Sequence, residues 1–318
     1  MTTPQPVARA KPLAVFGAEQ WEGLRRISSW KGLALVAHCW GVIALSLTAV
    51  ALWPHPLMVI LAVMIIGTRQ LGLAILMHEA AHGLLHPDQR VNDRVGEWLC
   101  AAPVGATLKG YRDYHLAHHR YTQTDHDPDK DLSAPFPVTG ASLRRKIIRD
   151  LTGQTFFKQR VGLVRMKWRQ RDRGDGLIAA ATTKLWPFAL TNMALLVGLS
   201  VIGQGWLFAV WVLAMATWFP LATRLRNIAE HACVRSCADP FTHARTTKAN
   251  LLERALIAPY WVNFHAEHHL FMYLPCYRLP KAHRILMKRD EARRMIVSPG
   301  YLATLRACLL PANKTAVS

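Results

Sequence analysis

The sequence predicts an all-α integral membrane protein, with four transmembrane helices paired as two hairpins beneath a cytoplasmic histidine-rich helical cap. Three observations predict it. Half of the 318 residues are hydrophobic (51%), yet 39 Lys and Arg face only 20 Asp and Glu. The apolar residues gather into runs long enough to cross a bilayer, about 20 residues at 1.5 Å per residue. The basic residues gather between those runs, as the positive-inside rule requires of cytoplasmic segments.

Residues 33–53 contain no formal charge, and residues 57–77 contain only Arg69. Pro54, His55 and Pro56 separate the two runs, a link short enough to predict a helical hairpin. Residues 185–202 and 206–223 form the second pair, split by Gly203, Gln204 and Gly205. Neither tight turn carries a Lys or Arg, so both termini and the 78–184 segment are expected in the cytoplasm. Arg69 stands out, because a charge within a span has either a structural partner or a function.

The 98–108 and 255–264 stretches are apolar but too short to span and read as interfacial or re-entrant. Residues 8–16 and 281–305 read as amphipathic surface pieces. Trp53, Trp186, Trp206 and Trp218 fall where an interfacial aromatic belt would. No repeat or linker divides the chain, so residues 33–318 are expected to form one domain behind a cytoplasmic segment 1–32.

Composition also narrows the partners. A net charge of +19 fits nucleic acid or an anionic lipid surface. The basic residues flank apolar runs and build no separate module, which favours the membrane and argues against nucleic acid. Cys39, Cys100, Cys233, Cys237, Cys276 and Cys308 are scattered without a C-x-x-C pair, so reduced thiols are expected. Residues 1–32 contain no signal-peptide apolar core.

The 15 histidines supply the chemistry. His78 and His82 enclose Glu-Ala-Ala just past the second run. His115, His118 and His119 form H-x-x-H-H. His231 follows the fourth run, and His265, His268 and His269 repeat H-x-x-H-H. Residues three or four apart share one helix face, so their imidazoles can reach one metal, and the adjacent third can turn to a second. So many imidazoles suit a borderline transition metal, iron or zinc, and not magnesium or calcium. Glu79, Glu230, Glu267, Asp125, Asp127, Asp129 and Asp131 are candidates to accept the outward N–H of a ligating ring. Arg224 and Arg226 can pair with those acids, bind an acidic head group, or simply anchor the helix end.

His78-Glu79-Ala80-Ala81-His82 also matches H-E-x-x-H, a zinc-protease signature with the glutamate as general base. That reading needs three protein ligands and one open position, and gives the two H-x-x-H-H groups no task. A transporter would place polar residues in spans that are here almost purely apolar.

The order of these motifs, with an apolar pair between the second and third, resembles the membrane fatty-acid desaturase and hydroxylase superfamily. The resemblance runs from about residue 33 to 283. It includes His119-Arg120-Tyr121-Thr122 before Asp127-Pro128-Asp129, and the run from Asn263 to Leu270. It is nearest a bacterial branch with rhizobitoxine-type desaturases and rhizopine-type oxygenases. The resemblance implies two iron ions on the nine histidines of the four groups, dioxygen as oxidant, and oxidation of an acyl-like or other aliphatic substrate. Desaturation and hydroxylation share that ligand set. No His-Pro-Gly-Gly cytochrome motif is present, so a separate ferredoxin with its reductase is the implied electron donor. A bacterial inner (cell) membrane location follows. The first box has three intervening residues where acyl-CoA desaturases have four, which separates the chain from that type.

Overall fold

The computed structural model describes residues 5–170, 177–235 and 239–311, with side chains except those of 163–185. Cys237 and the side chain of residue 185 lie outside the described residues.

Among the described residues, three helices are long and apolar enough to cross a membrane: Lys31–Leu52, Pro56–Ala81 and Leu207–His231. The first two, α1 (Lys31–Leu52) and α2 (Pro56–Ala81), pack against each other across the 53–55 link. α2 starts with proline at its first position and His55 as its cap, whose Nδ1 accepts the Leu57 N–H at 3.2 Å. From Ile66 to its end almost every residue of α2 is buried, which makes it the central post of the fold. The helix stops at His82 because Gly83 takes φ +72°, the left-handed conformation open to glycine.

The span expected over residues 185–202 lies in α3 (Leu177–Val201), which has Pro187 inside it. Its described apolar part, Trp186–Val201, is shorter than the three spanning candidates. The last long helix is broken into α4 (Leu207–Ala216) and α5 (Trp218–His231) at Thr217, with φ −121° and ψ −73°. Pro220 has no N–H for the Ala216 carbonyl and its ring crowds that carbonyl, which accounts for the break.

The apolar 98–108 stretch continues a π-helical turn, Gly96–Ala101, through a 3-10 turn, Ala102–Val104. Cys100, Ala101 and Ala102 are fully buried, and Leu99 is exposed. Residues 8–14 are exposed or half-buried while Val15 and Phe16 turn into the core, Phe16 edge-on to Phe271 at 4.9 Å, the pattern of an amphipathic surface piece. Trp218 is no belt residue: its indole N–H lies 3.1 Å from both Thr68 Oγ1 and the Leu256 carbonyl. Trp53, Trp186 and Trp206 are exposed.

The chain is not wholly helical. Arg245–Thr247 (β1) pairs in parallel with Ile296–Ser298 (β2). This ribbon ties the C-terminal region to the loop after α5. One apolar cluster extends from Val15 to Tyr301 and includes α1, α2 and α4 residues.

Gly96 positions the first histidine pair. A Cβ there would lie 2.4 Å from the Ala80 Cβ, between His78 and His82 on α2. Gly96→Ala is expected to cost about 1–3 kcal/mol through overpacking. Gly41→Ala, in open space on α1, should leave the unfolding temperature of the detergent-solubilised protein within a degree or two, and Gly96→Ala should lower it clearly.

Candidate metal centre

Four helix ends deliver the histidines. α2 contributes His78 and its cap His82, and α6 (Leu108–Tyr121) contributes His115, His118 and His119. α5 ends on His231, and α7 (His265–Leu270) carries the last three. Arg112 draws the first two helices together. Its Nε donates to the Ala81 carbonyl and its Nη2 to the Ala80 carbonyl, each at 3.0 Å, while Nη2 also meets Asp93 at 2.6 Å. One guanidinium thereby satisfies carbonyls that a helix end leaves without partners.

The nine imidazoles converge as two groups, each able to hold a metal ion. His78, His82, His115, His119 and His268 form one; His118, His231, His265 and His269 form the other. Each H-x-x-H-H box sends its first and last histidine, four residues apart, to one group, and its middle histidine crosses to the other. His118 joins the α7 group and His268 joins the α2 group.

The nitrogens meet Nε2 to Nε2. His78 and His268 are 2.9 Å apart, His82 and His115 3.0 Å, and His119 lies 2.9 Å from both His115 and His268. In the second group His231 and His265 are 2.8 Å apart, His265 and His269 3.0 Å, and His118 and His269 3.3 Å. Hydrogen bonds cannot satisfy such a mesh, since a neutral imidazole carries one N–H and His118 directs its Nδ1 to Asp127 Oδ1 at 2.7 Å. What remains is lone pairs aimed at common points. Adjacent corners of an octahedral shell with metal–nitrogen bonds of about 2.1 Å are about 3.0 Å apart, and tetrahedral corners about 3.4 Å. Most separations match the octahedral edge.

Burial holds most of these rings in the neutral form that binds metal. It pushes the His82 pKa down to about 3, with Arg112 and Arg9 adding to the effect. Burial and then neighbouring imidazoles push His115, His119 and His269 well below the usual histidine range. His268 and His265 follow the same direction for the same first cause.

The acids divide. Asp127 is buried against His118 and also accepts the N–H groups of Gln123 at 2.8 Å and Asp129 at 2.9 Å. Asp129 Oδ2 stands 3.6 Å from His118 Nδ1, and its other oxygen accepts the Tyr114 hydroxyl. Asp125 is exposed and pairs with Lys130, away from the histidines, and Asp131 is exposed. Glu79 accepts the Cys276 N–H at 2.7 Å, with its other oxygen 3.5 Å from His78 Nδ1. Glu230 pairs with Arg226 at 2.6 Å and stands 3.5 Å from His265 Nε2. Glu267 touches no member of the cluster: His283 Nδ1 lies 2.6 Å from it and Thr246 donates to it. Arg224 pairs with Asp150, its Nη2 at 2.9 Å.

His283, Thr246, Arg112 and Tyr111, whose ring stacks on His115 at 5.3 Å, were not singled out from sequence. Only their tertiary positions distinguish them from other residues of the same types.

A cavity of about 260 Å³ opens on both groups, reaching His78, His115, His118, His231 and His265. Leu71, Ala74, Ile75, Phe219 and Val262 line its apolar side. A second space of about 580 Å³ adjoins it and shares Leu132, Phe219, Thr223 and Asn227 as wall. An aliphatic segment has room to lie across the histidines with its remainder in the outer space.

Three membrane-length helices thus accompany two buried histidine groups, each able to hold a metal ion, beside an apolar cavity. The chain belongs to the fatty acid desaturase family, whose sequence model matches residues 54–299. It is similar to dihydrorhizobitoxine desaturase of Bradyrhizobium elkanii, at 26% identity over 86% of this chain and 78% of that protein. It is also similar to the beta-carotene ketolase of Paracoccus sp. strain PC1, at 27% identity over 79% of this chain and 90% of the ketolase. A second Paracoccus beta-carotene ketolase, from strain N81106 / MBIC 01143, is 28% identical over 76% of this chain and 88% of its own length.

The contrast between two neighbouring aspartates is a direct check on this arrangement. Removing an acid that orients a ligating histidine typically lowers metal affinity about 10–100-fold. Asp127→Ala should show that loss in competition with a chelator, and Asp125→Ala should retain metal as the parent does.

Proposed function

We propose that the protein is an oxygen-dependent di-iron desaturase that acts on an acyl-like or other aliphatic substrate at the membrane. The observation that carries this reading is the pair of buried imidazole groups opening on one apolar cavity. His78, His82, His115, His119 and His268 would hold one iron, and His118, His231, His265 and His269 the other. Octahedral-like spacing and all-nitrogen donors suit ferrous iron better than a four-coordinate zinc. When bound, the irons supply dioxygen activation and the oxidising power to remove hydrogen from an unactivated C–H bond.

The chain's own residues do the positioning. The apolar wall of Leu71, Ala74, Ile75 and Val262 aligns an aliphatic segment and keeps bulk water from it. Asp127 fixes the ring and tautomer of His118, and Tyr111 holds the plane of His115. Arg226 and Glu230, both on the cavity wall, neutralise each other and bring polarity without net charge.

A second reading, oxygen insertion by the same centre, is favoured by the two ketolase relatives. The two outcomes differ in how the attacked carbon lies beside the metals, and not in the ligands. The metalloprotease reading of His78–His82 loses its general base. Glu79 is buried against the Cys276 N–H and does not line the cavity.

The surrounding assignments complete the proposal. Residues 33–318 act as one unit with four spans in two hairpins, and both termini face the cytoplasm of a bacterial inner membrane. The C-terminal run Trp186–Val201 within α3 supplies the fourth crossing, helped by the helical turns before it. A separate ferredoxin and its reductase supply the electrons.

Metal analysis of the detergent-purified protein tests the centre. About two irons per chain are expected, with a strong reduction in both His118→Ala and His268→Ala. One zinc, kept in that pair and lost in His78→Ala, would overturn the proposal. With a substrate in hand, turnover under labelled dioxygen separates the reactions: desaturation leaves the organic product unlabelled, and insertion places the label in it.

A further inference from the structure

Arg69 is the one formal charge in the apolar 57–77 run, and the fold supplies it with no acid. It is 8% exposed. Its Nη2 donates to the Ala255 carbonyl at 3.2 Å, its guanidinium carbon lies 5.5 Å from the centre of the Tyr260 ring, and its Nε is buried without a hydrogen-bond partner. Among the described residues no carboxylate comes within ion-pair distance of it. A buried cation with an unused donor is costly unless a counter-ion reaches it.

Such a counter-ion has a place to bind. Arg69 lines a cleft of about 510 Å³ together with Arg254 and His38. Arg254 is exposed and sits 5.9 Å from the centre of the Trp261 ring. Aliphatic side chains, Leu35, Val42 and Ile65, complete the lining. Two of those residues come from α1 and the third from α2, both of them apolar enough to cross a membrane. The cleft is separate from the catalytic cavity. From α2 it takes Ile65 and Arg69, whereas the cavity takes Leu71, Ala74, Ile75 and His78. At 3.6 residues per turn the two sets lie on nearly opposite sides of the helix, roughly 150° apart.

We propose that this cleft binds the phosphate of an anionic phospholipid between Arg69 and Arg254, with an acyl chain along Leu35, Val42 and Ile65. Guanidinium groups match phosphate oxygens in geometry and charge, and basic pockets between membrane helices hold anionic head groups. The aliphatic wall favours a lipid over a free anion, for which it would have no use. The lipid supplies the negative charge that Arg69 lacks within the chain and braces α1 against α2. The site is independent of the metal reading, because it uses neither the histidine clusters nor their cavity.

The test uses the full chain, delipidated in a neutral detergent and titrated with phosphatidylglycerol, phosphatidylcholine or inorganic phosphate. Bound phosphorus per chain and the unfolding temperature are the readouts. Phosphatidylglycerol should be retained at about one per chain and raise the unfolding temperature; phosphatidylcholine should do neither. Arg254→Gln, an exposed change that should fold, is expected to weaken phosphatidylglycerol binding about tenfold or more, the scale of one lost charge-assisted contact. Arg69→Gln should weaken it further. The metal content of Arg254→Gln should equal that of the parent, whatever metal the centre holds. Equal binding of the two lipids, or unchanged binding in Arg254→Gln, overturns the site. Millimolar inorganic phosphate that displaces the lipid and stabilises the protein equally overturns its assignment to a lipid.

Discussion

Nine imidazoles brought together away from water are the constraint on which the rest of the structure depends. Burial keeps most of them neutral, and a neutral imidazole that gives its one N–H outward turns a lone pair inward. Lone pairs at 2.8–3.0 Å repel one another unless a cation lies between them. No single helix can present enough nitrogens to surround a cation, since only positions three or four apart share a face. Four helix ends from distant parts of the chain therefore have to meet at one level. The central burial of α2, the glycine stop after His82 and the Arg112 clasp on the Ala80 and Ala81 carbonyls all hold that meeting point.

The spacing of the histidines was legible because helical periodicity is local. The division between the two groups was not. It places His118 with His231 and His268 with His78, pairings that no spacing within a box reveals. Apolar runs located α1, α2 and the α4–α5 helix, because hydropathy reports what lipid would accept. The same signal misassigned Trp218, since an apolar residue facing a buried partner and one facing lipid look alike in sequence. The break at Thr217 was signalled by Pro220 but obscured by the apolar run around it. The short β1–β2 ribbon pairs segments about 50 residues apart and has no periodic signature. Among the acids, Asp125 and Asp127 differ by two positions in one polar turn, and only the fold shows which of them faces His118.

Membership of a family whose similar proteins include both a desaturase and ketolases bears on what the centre alone can decide. The histidines supply the same donors in either case, so the outcome must be set by registry: which carbon stops beside them, and how firmly it is held. The inner cavity is small and shares Leu132, Phe219, Thr223 and Asn227 with a larger space outside it. On the proposed reading, those four residues are the boundary that a substrate would cross, and their bulk would limit how far it advances. If the histidines hold metal as proposed, substitutions there are better placed to change the product than any change among the histidines, which would remove the metal instead.

Three glutamates stand next to, or between, cluster histidines in sequence, and it is natural to expect each to steady its neighbour directly. The fold uses them differently. Glu79 reaches the Cys276 N–H beyond α7, Glu267 holds His283 and Thr246, and Glu230 binds Arg226 one turn back. Adjacent residues on a helix point about 100° apart, so Glu79 and Glu267 are directed toward neighbouring elements, while Glu230 turns to Arg226 on its own helix and stays 3.5 Å from His265 Nε2. Through Glu79 and Glu267 the segments carrying the histidines are fastened to elements remote in sequence. Orientation of an individual ring falls to Asp127, which lies nine residues from His118 and comes back to it through a turn. A carboxylate adjacent to a histidine thus fixes the helix that carries the ring, and one that returns from a loop can fix the ring itself.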